Sequence, residues 1–160
     1  DSSYRANRFA GDRWLLVGDA GAFLDPIFST GVLLAMQSGI DAADALDAAL
    51  RTGDLSRRQF DRYQRGVRRR YEYFRRFAVA FYDPPFRDLF FRPDAPFGIR
   101  EALISVLAGN WRPSLGTRLR IALFFGAVAR QRRIAIAPRL DRVRSAAAAP
   151  LRGVESDAVG

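Results

Sequence analysis

Apolar positions recur at helical intervals over most of this chain, with one short exception near its start. Trp14-Leu15-Leu16-Val17 is a continuous apolar run, preceded by the turn-like Ala10-Gly11-Asp12-Arg13 and followed by Gly18. A short run bounded by turn residues predicts a buried strand. An irregular stretch follows through Pro26. From Thr30 or Gly31 to Leu50, the residues Val32, Met36, Ile40, Ala43, Leu46 and Leu50 step by three and four. That spacing predicts a long helix with these side chains in the core and Asp41, Asp44 and Asp47 on the wet face. Next, Ser56 with Gln59 has the spacing of a capping box and Leu55 with Phe60 that of a hydrophobic staple, so a second helix is predicted to start there. Phe60, Tyr63, Val67, Tyr71, Phe74, Phe77 and Phe81 carry it to Tyr82-Asp83, where Pro84-Pro85 stops it. A short aromatic segment, Phe86 to Phe91, precedes a third helix over about 97–108, stopped by Gly109. A fourth runs from Ser114 to about Ile134, ahead of Pro138, and 145–160 reads as a flexible tail. The expectation is a mostly α chain with one or two short strands and about four helices. It divides into 1–52 (strand, loop, long helix), a helical region 53–144, and the tail.

Composition narrows the chemistry. The chain has 160 residues, 49% apolar and 27% charged, which suits one globular domain. It contains no cysteine and no histidine. Disulfides, thiol chemistry, Cys-type zinc and iron–sulfur sites, a Ser-His-Asp triad and imidazole bases are therefore excluded, and no metal is expected. Carboxylates, backbone amides or a bound cofactor must carry any reaction. All 26 basic residues are arginine, against 17 acids. They are unevenly spread: residues 1–50 carry net −4 and residues 51–160 net +13. The arginines of the second helix (Arg57, Arg58, Arg62, Arg65, Arg68, Arg69, Arg75 and Arg76) read as a solvated face opposite the aromatic stripe. Arginine is dispersed over the whole second region, so no nucleic-acid partner is expected, while contact with a membrane surface stays open. The polar start, Asp1-Ser2-Ser3-Tyr4-Arg5, is not a signal segment. The longest apolar run, Ile121 to Ala129, has nine residues, about half of a membrane span. These features predict a soluble, cytoplasmic piece of a longer chain.

One segment carries candidate chemistry: Gly18-Asp19-Ala20-Gly21, then Asp25-Pro26-Ile27-Phe28-Ser29-Thr30-Gly31-Val32. A strand ending in Gly-Asp sets a carboxylate at the sheet edge where α/β folds bind ligands. An ionised Asp19 only accepts hydrogen bonds, so a sugar or polyol hydroxyl suits it. Ser29-Thr30-Gly31 opens a long helix whose first amides are unpaired and lie at the positive end of the helix dipole. Such an end favours an anion or a negatively polarised edge. As isolated pieces, Gly-Asp and Ser-Thr would read as a strand-end turn and an ordinary helix cap.

The whole string resembles the second flavin fingerprint of glutathione-reductase-type FAD-dependent monooxygenases and halogenases. The D-P-x-F-S-[ST]-G-V variant is especially similar to the phenol and pyrrole flavin-dependent halogenases. The resemblance implies that the chain is the C-terminal portion of an α/β, Rossmann-type FAD-binding fold. It implies FAD contacts at Gly18, Asp19, Ala20, Pro26, Gly31, Val32 and Leu33. Asp19 would accept from a ribityl hydroxyl, Pro26 would line the isoalloxazine, and the amides of Gly31, Val32 and Leu33 would face its N1–C2=O edge. Ser29, Thr30 and Gly31 would form a halide site for chloride. No catalytic residue is assigned. Phe28 occupies the position where tryptophan halogenases carry glutamate, which sets the chain apart from that subgroup. Neither a GxGxxG fingerprint nor a lysine occurs; in the family both lie upstream. The implied partners are the N-terminal half of the same chain, NAD(P)H or a flavin reductase as electron source, and a small aromatic or lipid-like substrate. Two alternatives remain: an isoprenoid-type FAD-dependent reductase, and a non-enzymatic basic helical module that binds membrane or nucleic acid.

Overall fold

A computed structural model describes residues 2–92 and 95–140. The tail expected at 145–160 lies outside the described residues. The chain opens with two small antiparallel pairs. β1 (Tyr4–Arg5) pairs with β4 (Ala22–Phe23), and β2 (Ala10–Gly11) pairs with β3 (Trp14–Leu15). Arg13, at φ 66°, makes the tight turn between β2 and β3. The run 14–17 is thus strand for only two residues and is not buried: Trp14 and Val17 are 43% and 39% exposed. With a single two-residue partner, β3 has no second strand neighbour among the described residues.

Among the described residues five helices follow: α1 (Gly31–Thr52), α2 (Asp61–Phe81), α3 (Pro84–Phe90), α4 (Ile99–Leu107) and α5 (Leu115–Arg133). The result is mostly helical, as expected of the C-terminal portion of an α/β FAD-binding fold. α3 accounts for the fifth helix. Pro84-Pro85 does stop α2, but proline at a first helical turn also starts a helix, and the aromatic segment folds on it. α4 begins later than expected because Phe97 and Gly98 both adopt left-handed backbone, φ 62° and 67°. Ser114 caps α5 by accepting from the Thr117 amide at 3.3 Å.

Two expectations are corrected by the packing. The capping box does not form. Asp54 takes the Ser56 amide at 2.8 Å and Asp12 the Arg57 amide at 2.7 Å, so residues 56–60 become turns and α2 starts at Asp61. More important, α1 buries the opposite face from the one its stripe predicts. Val32, Met36, Ile40, Leu46 and Leu50 are all exposed, whereas Ser38, Ala42 and Ala49 are buried. Small residues let α1 lie close to α2, and that leaves the bulky apolar row facing outwards.

The α2 stripe behaves as core. Phe60, Tyr63 and Val67 join Phe9, Ala10, Ala42 and Ala49 in one cluster. Tyr71, Phe74 and Phe77 join α3, α4 and α5 in a second, which includes Phe86, Leu103, Val106, Ile121 and Phe124. Buried Gln131 ties the exit of α5 into this cluster. Its side chain donates to Asp88 Oδ2 and to the Ala137 carbonyl, and accepts from the Ile136 and Ala137 amides, all within 3.1 Å.

Candidate functional site

The candidate segment makes two tight turns before entering α1. The first, Gly18–Ala20, is a single 3-10 turn beginning at Gly18 with φ 58°, a backbone state that glycine adopts without strain. The Gly18 amide donates to Ser38 Oγ at 2.9 Å, and Ser38 Oγ donates to the Ala35 carbonyl at 2.8 Å. A buried hydroxyl on α1 therefore fixes the turn against that helix. Asp19 is exposed, its main-chain oxygen accepts from the Tyr4 hydroxyl at 2.7 Å, and its carboxylate has no partner among the described residues.

The second turn, Pro26–Phe28, leads through Ser29 in a left-handed conformation to buried Thr30, which precedes α1. The Ser29 amide is engaged by the Pro26 carbonyl at 3.0 Å. The first bond into the helix runs from Leu34 N to Thr30 O, and no side chain caps the helix. The amides of Gly31, Val32 and Leu33 are thus without acceptors among the described residues. A Cβ added at Gly31 would meet nothing within 4 Å. The chain's own packing does not require glycine there, whereas a ligand seated against the backbone would. Open amides at a positive helix end, an unpaired carboxylate and clear space above Gly31 together fit the polyol chain and electron-rich ring edge of a flavin.

Asp25 was missed by sequence reasoning, where only its place before Pro26 marked it. Its Oδ2 accepts from the Tyr82 hydroxyl at 2.7 Å and from the Ser2 amide at 3.2 Å, while its own amide donates to Ser3 Oγ at 2.9 Å. The Tyr82 hydroxyl, then the Ser2 amide, hold the Asp25 carboxyl below the usual carboxylate value, and the same contact raises Tyr82. Phe28 adds an apolar anchor, with ring centroids 5.3 Å from Phe81 and 5.8 Å from Phe90. The end of α2 and α3 therefore brace the Pro26 turn. Of the aromatic segment that follows α2, Phe86 is core and Phe91 is exposed.

Behind the loop, Asp41 does not sit on a solvated face as the sequence suggested. It pairs at 2.8 Å with Arg70, which is 3% exposed and lies over the Trp111 ring. Tyr63 donates to the Leu16 carbonyl at 2.6 Å, and burial, helped by Asp41, pushes its hydroxyl up to about 12. The other arginines named above, Arg57 and Arg58 before α2 and the rest along it, are exposed, and Arg76 also lies over the Phe125 ring at 4.5 Å.

The sequence agrees with one group of known proteins. A family model described as Tryptophan halogenase matches residues 3–97. The chain belongs to that family. The matched residues include both turns, α1, α2 and α3, which are the elements that build and brace the site. Among curated relatives, the chain is 57% identical over 54 residues to a 1H-pyrrole-2-carbonyl-[peptidyl-carrier protein] brominase of Pseudoalteromonas luteoviolacea, covering 34% of this chain and 13% of that protein. It is 34% identical over 82 residues to the corresponding chlorinase of Pseudomonas fluorescens, covering 51% and 18%. It is 48% identical over 56 residues to a flavin-dependent halogenase of Armillaria mellea, covering 35% and 10%. The chain thus spans less than a fifth of the length of these relatives.

Proposed function

We propose that this chain supplies the flavin-contacting loop of an FAD-dependent, halogenase-like oxidoreductase. The open N-terminus of α1 carries the reading. Three unpaired amides there lie beside a glycine that internal packing does not demand. FAD, when bound, supplies the redox chemistry. Asp19 would accept from a ribityl hydroxyl, and Gly18 and Ala20 would present the backbone that sets it there. Pro26 would border the isoalloxazine. The amides of Gly31, Val32 and Leu33 would stabilise negative charge at the N1–C2=O edge. Chloride would sit at Ser29, Thr30 and Gly31. Because the Ser29 amide is already spent on Pro26, the Thr30 and Gly31 amides are the ones left for a halide.

The exposed row on α1 is the face on which the rest of the FAD-binding fold, the N-terminal half of the same chain, would pack. The electron source would be NAD(P)H or a flavin reductase. A small aromatic substrate agrees with relatives whose names specify a carrier-bound pyrrole. The test is Gly31→Val in the full-length protein, reading oxidation of reduced flavin with and without chloride. The open space at Gly31 predicts an intact α1 by circular dichroism together with impaired turnover. Normal turnover in the variant would remove the flavin-edge role. Chloride-insensitive behaviour of the unmodified protein would remove the halide site.

A further inference from the structure

α5 has two apolar faces. Ile121, Phe124, Val128 and Gln131 are buried in the C-terminal cluster. On the opposite side Leu115, Leu119 and Leu123 are 81%, 62% and 50% exposed. Ala122, Gly126 and Ala129 continue that side as an exposed, nearly flat strip, and Arg130 and Arg133 close it at the C-terminal end. Neither of these two guanidinium groups has a hydrogen-bond or ion-pair partner among the described residues. Arg120 and Arg132, by contrast, are held by the Phe97 carbonyl and by Asp83. α5 contains no acidic residue, and exposed Ile134 and Ile136 extend the apolar surface. The family match ends at residue 97, so the flavin loop does not account for this face.

We propose that the outer face of α5 docks on an anionic lipid surface. The leucines would enter the boundary between headgroups and acyl chains, and Arg130 and Arg133 would meet headgroup phosphates. The charge pattern selects this occupant. A second copy of the chain would set the two arginines against leucines or against themselves, with no acid on α5 to receive them. Single-stranded nucleic acid would call for aromatic rings to stack on, and the face offers leucine, alanine and glycine instead. Among the described residues no helix is long and apolar enough to cross a membrane, so α5 would lie in the interface plane.

Vesicle co-sedimentation of the protein tests this, using phosphatidylcholine vesicles with and without phosphatidylserine. Binding should need the anionic lipid and should weaken as salt rises. Arg130→Gln/Arg133→Gln should reduce partitioning by roughly 25-fold, about fivefold per arginine. Leu119→Gln/Leu123→Gln should reduce it at least about tenfold with unchanged circular dichroism, because both side chains are exposed and the Gln pair cannot bury comparable apolar surface. Arg62→Gln/Arg69→Gln, which removes the same charge from the exposed face of α2, should leave it nearly unchanged. Three results would overturn the proposal: no binding to anionic vesicles at low salt, binding that survives the leucine pair, or binding abolished by the α2 pair. A sedimentation-velocity dimer of unmodified protein that the leucine pair converts to monomer would assign the face to a second copy instead.

Discussion

Asp19 and Asp25 lie six positions apart and have opposite environments. Asp19 is exposed and unpaired among the described residues, a carboxylate with its acceptor capacity in reserve. Removing it by Asp19→Ala in the full-length protein deletes one charge-assisted acceptor, about 1.5–3 kcal/mol. FAD affinity should fall by one to two decades, read by flavin fluorescence titration; unchanged affinity would reduce Asp19 to a turn residue. Asp25 is already committed, to Tyr82 and Ser2, and its carboxyl is held below the ordinary 3.8. A carboxylate with a depressed folded value stabilises the fold above its unfolded value, and that contribution disappears as pH falls through the folded one. The stability gap between unmodified protein and Asp25→Asn should therefore be present at neutral pH and close below about pH 4. Urea denaturation across pH 3–7 would show it, and a gap independent of pH would remove the Tyr82–Asp25 contact from the account.

Between the short α3 and α5, the apolar packing of Phe86 on Phe124 is supplemented by a buried polar network at the end of α5. Gln131 is 1% exposed and makes four hydrogen bonds, and Asp88 also accepts from the Leu140 amide at 2.9 Å. Gln131→Met keeps the volume but strands buried amides and a carboxylate oxygen. Leaving such groups unsatisfied costs about 3 kcal/mol, readable as a lowered denaturation midpoint. A loss under about 1 kcal/mol would mean that water replaces the network. The braces of the candidate site are likewise contacts between elements: Ser38 on α1 holds Gly18, and Phe81 and Tyr82 at the end of α2 hold Phe28 and Asp25.

The whole molecule presents a long apolar row on α1 that none of its described elements covers. Met36 and Val32 alone are 66% and 70% exposed. Contiguous exposed apolar surface of this kind marks an interface. The chain by itself should therefore self-associate and bind FAD weakly, since the loop is present while a GxGxxG fingerprint for the ADP half is absent from its sequence. Analytical ultracentrifugation with a flavin titration checks both points, and a monomeric, yellow preparation would contradict them.

The sequence by itself determined what local chemistry controls. Helical spacing placed α1, α2 and α5, proline ended α2, and the Gly18–Val32 string identified the family through residues that are close in sequence. Tertiary structure decided which faces meet. Periodicity marks an apolar row but not its partner, so α1 buries its alanines against α2 and turns its larger side chains outwards. The capping box failed because Asp12 and Asp54 bound the same turn's amides. The pairs Asp41–Arg70 and Asp25–Tyr82 join positions 29 and 57 residues apart. No local spacing rule reaches that far, because such contacts exist only once the helices have packed.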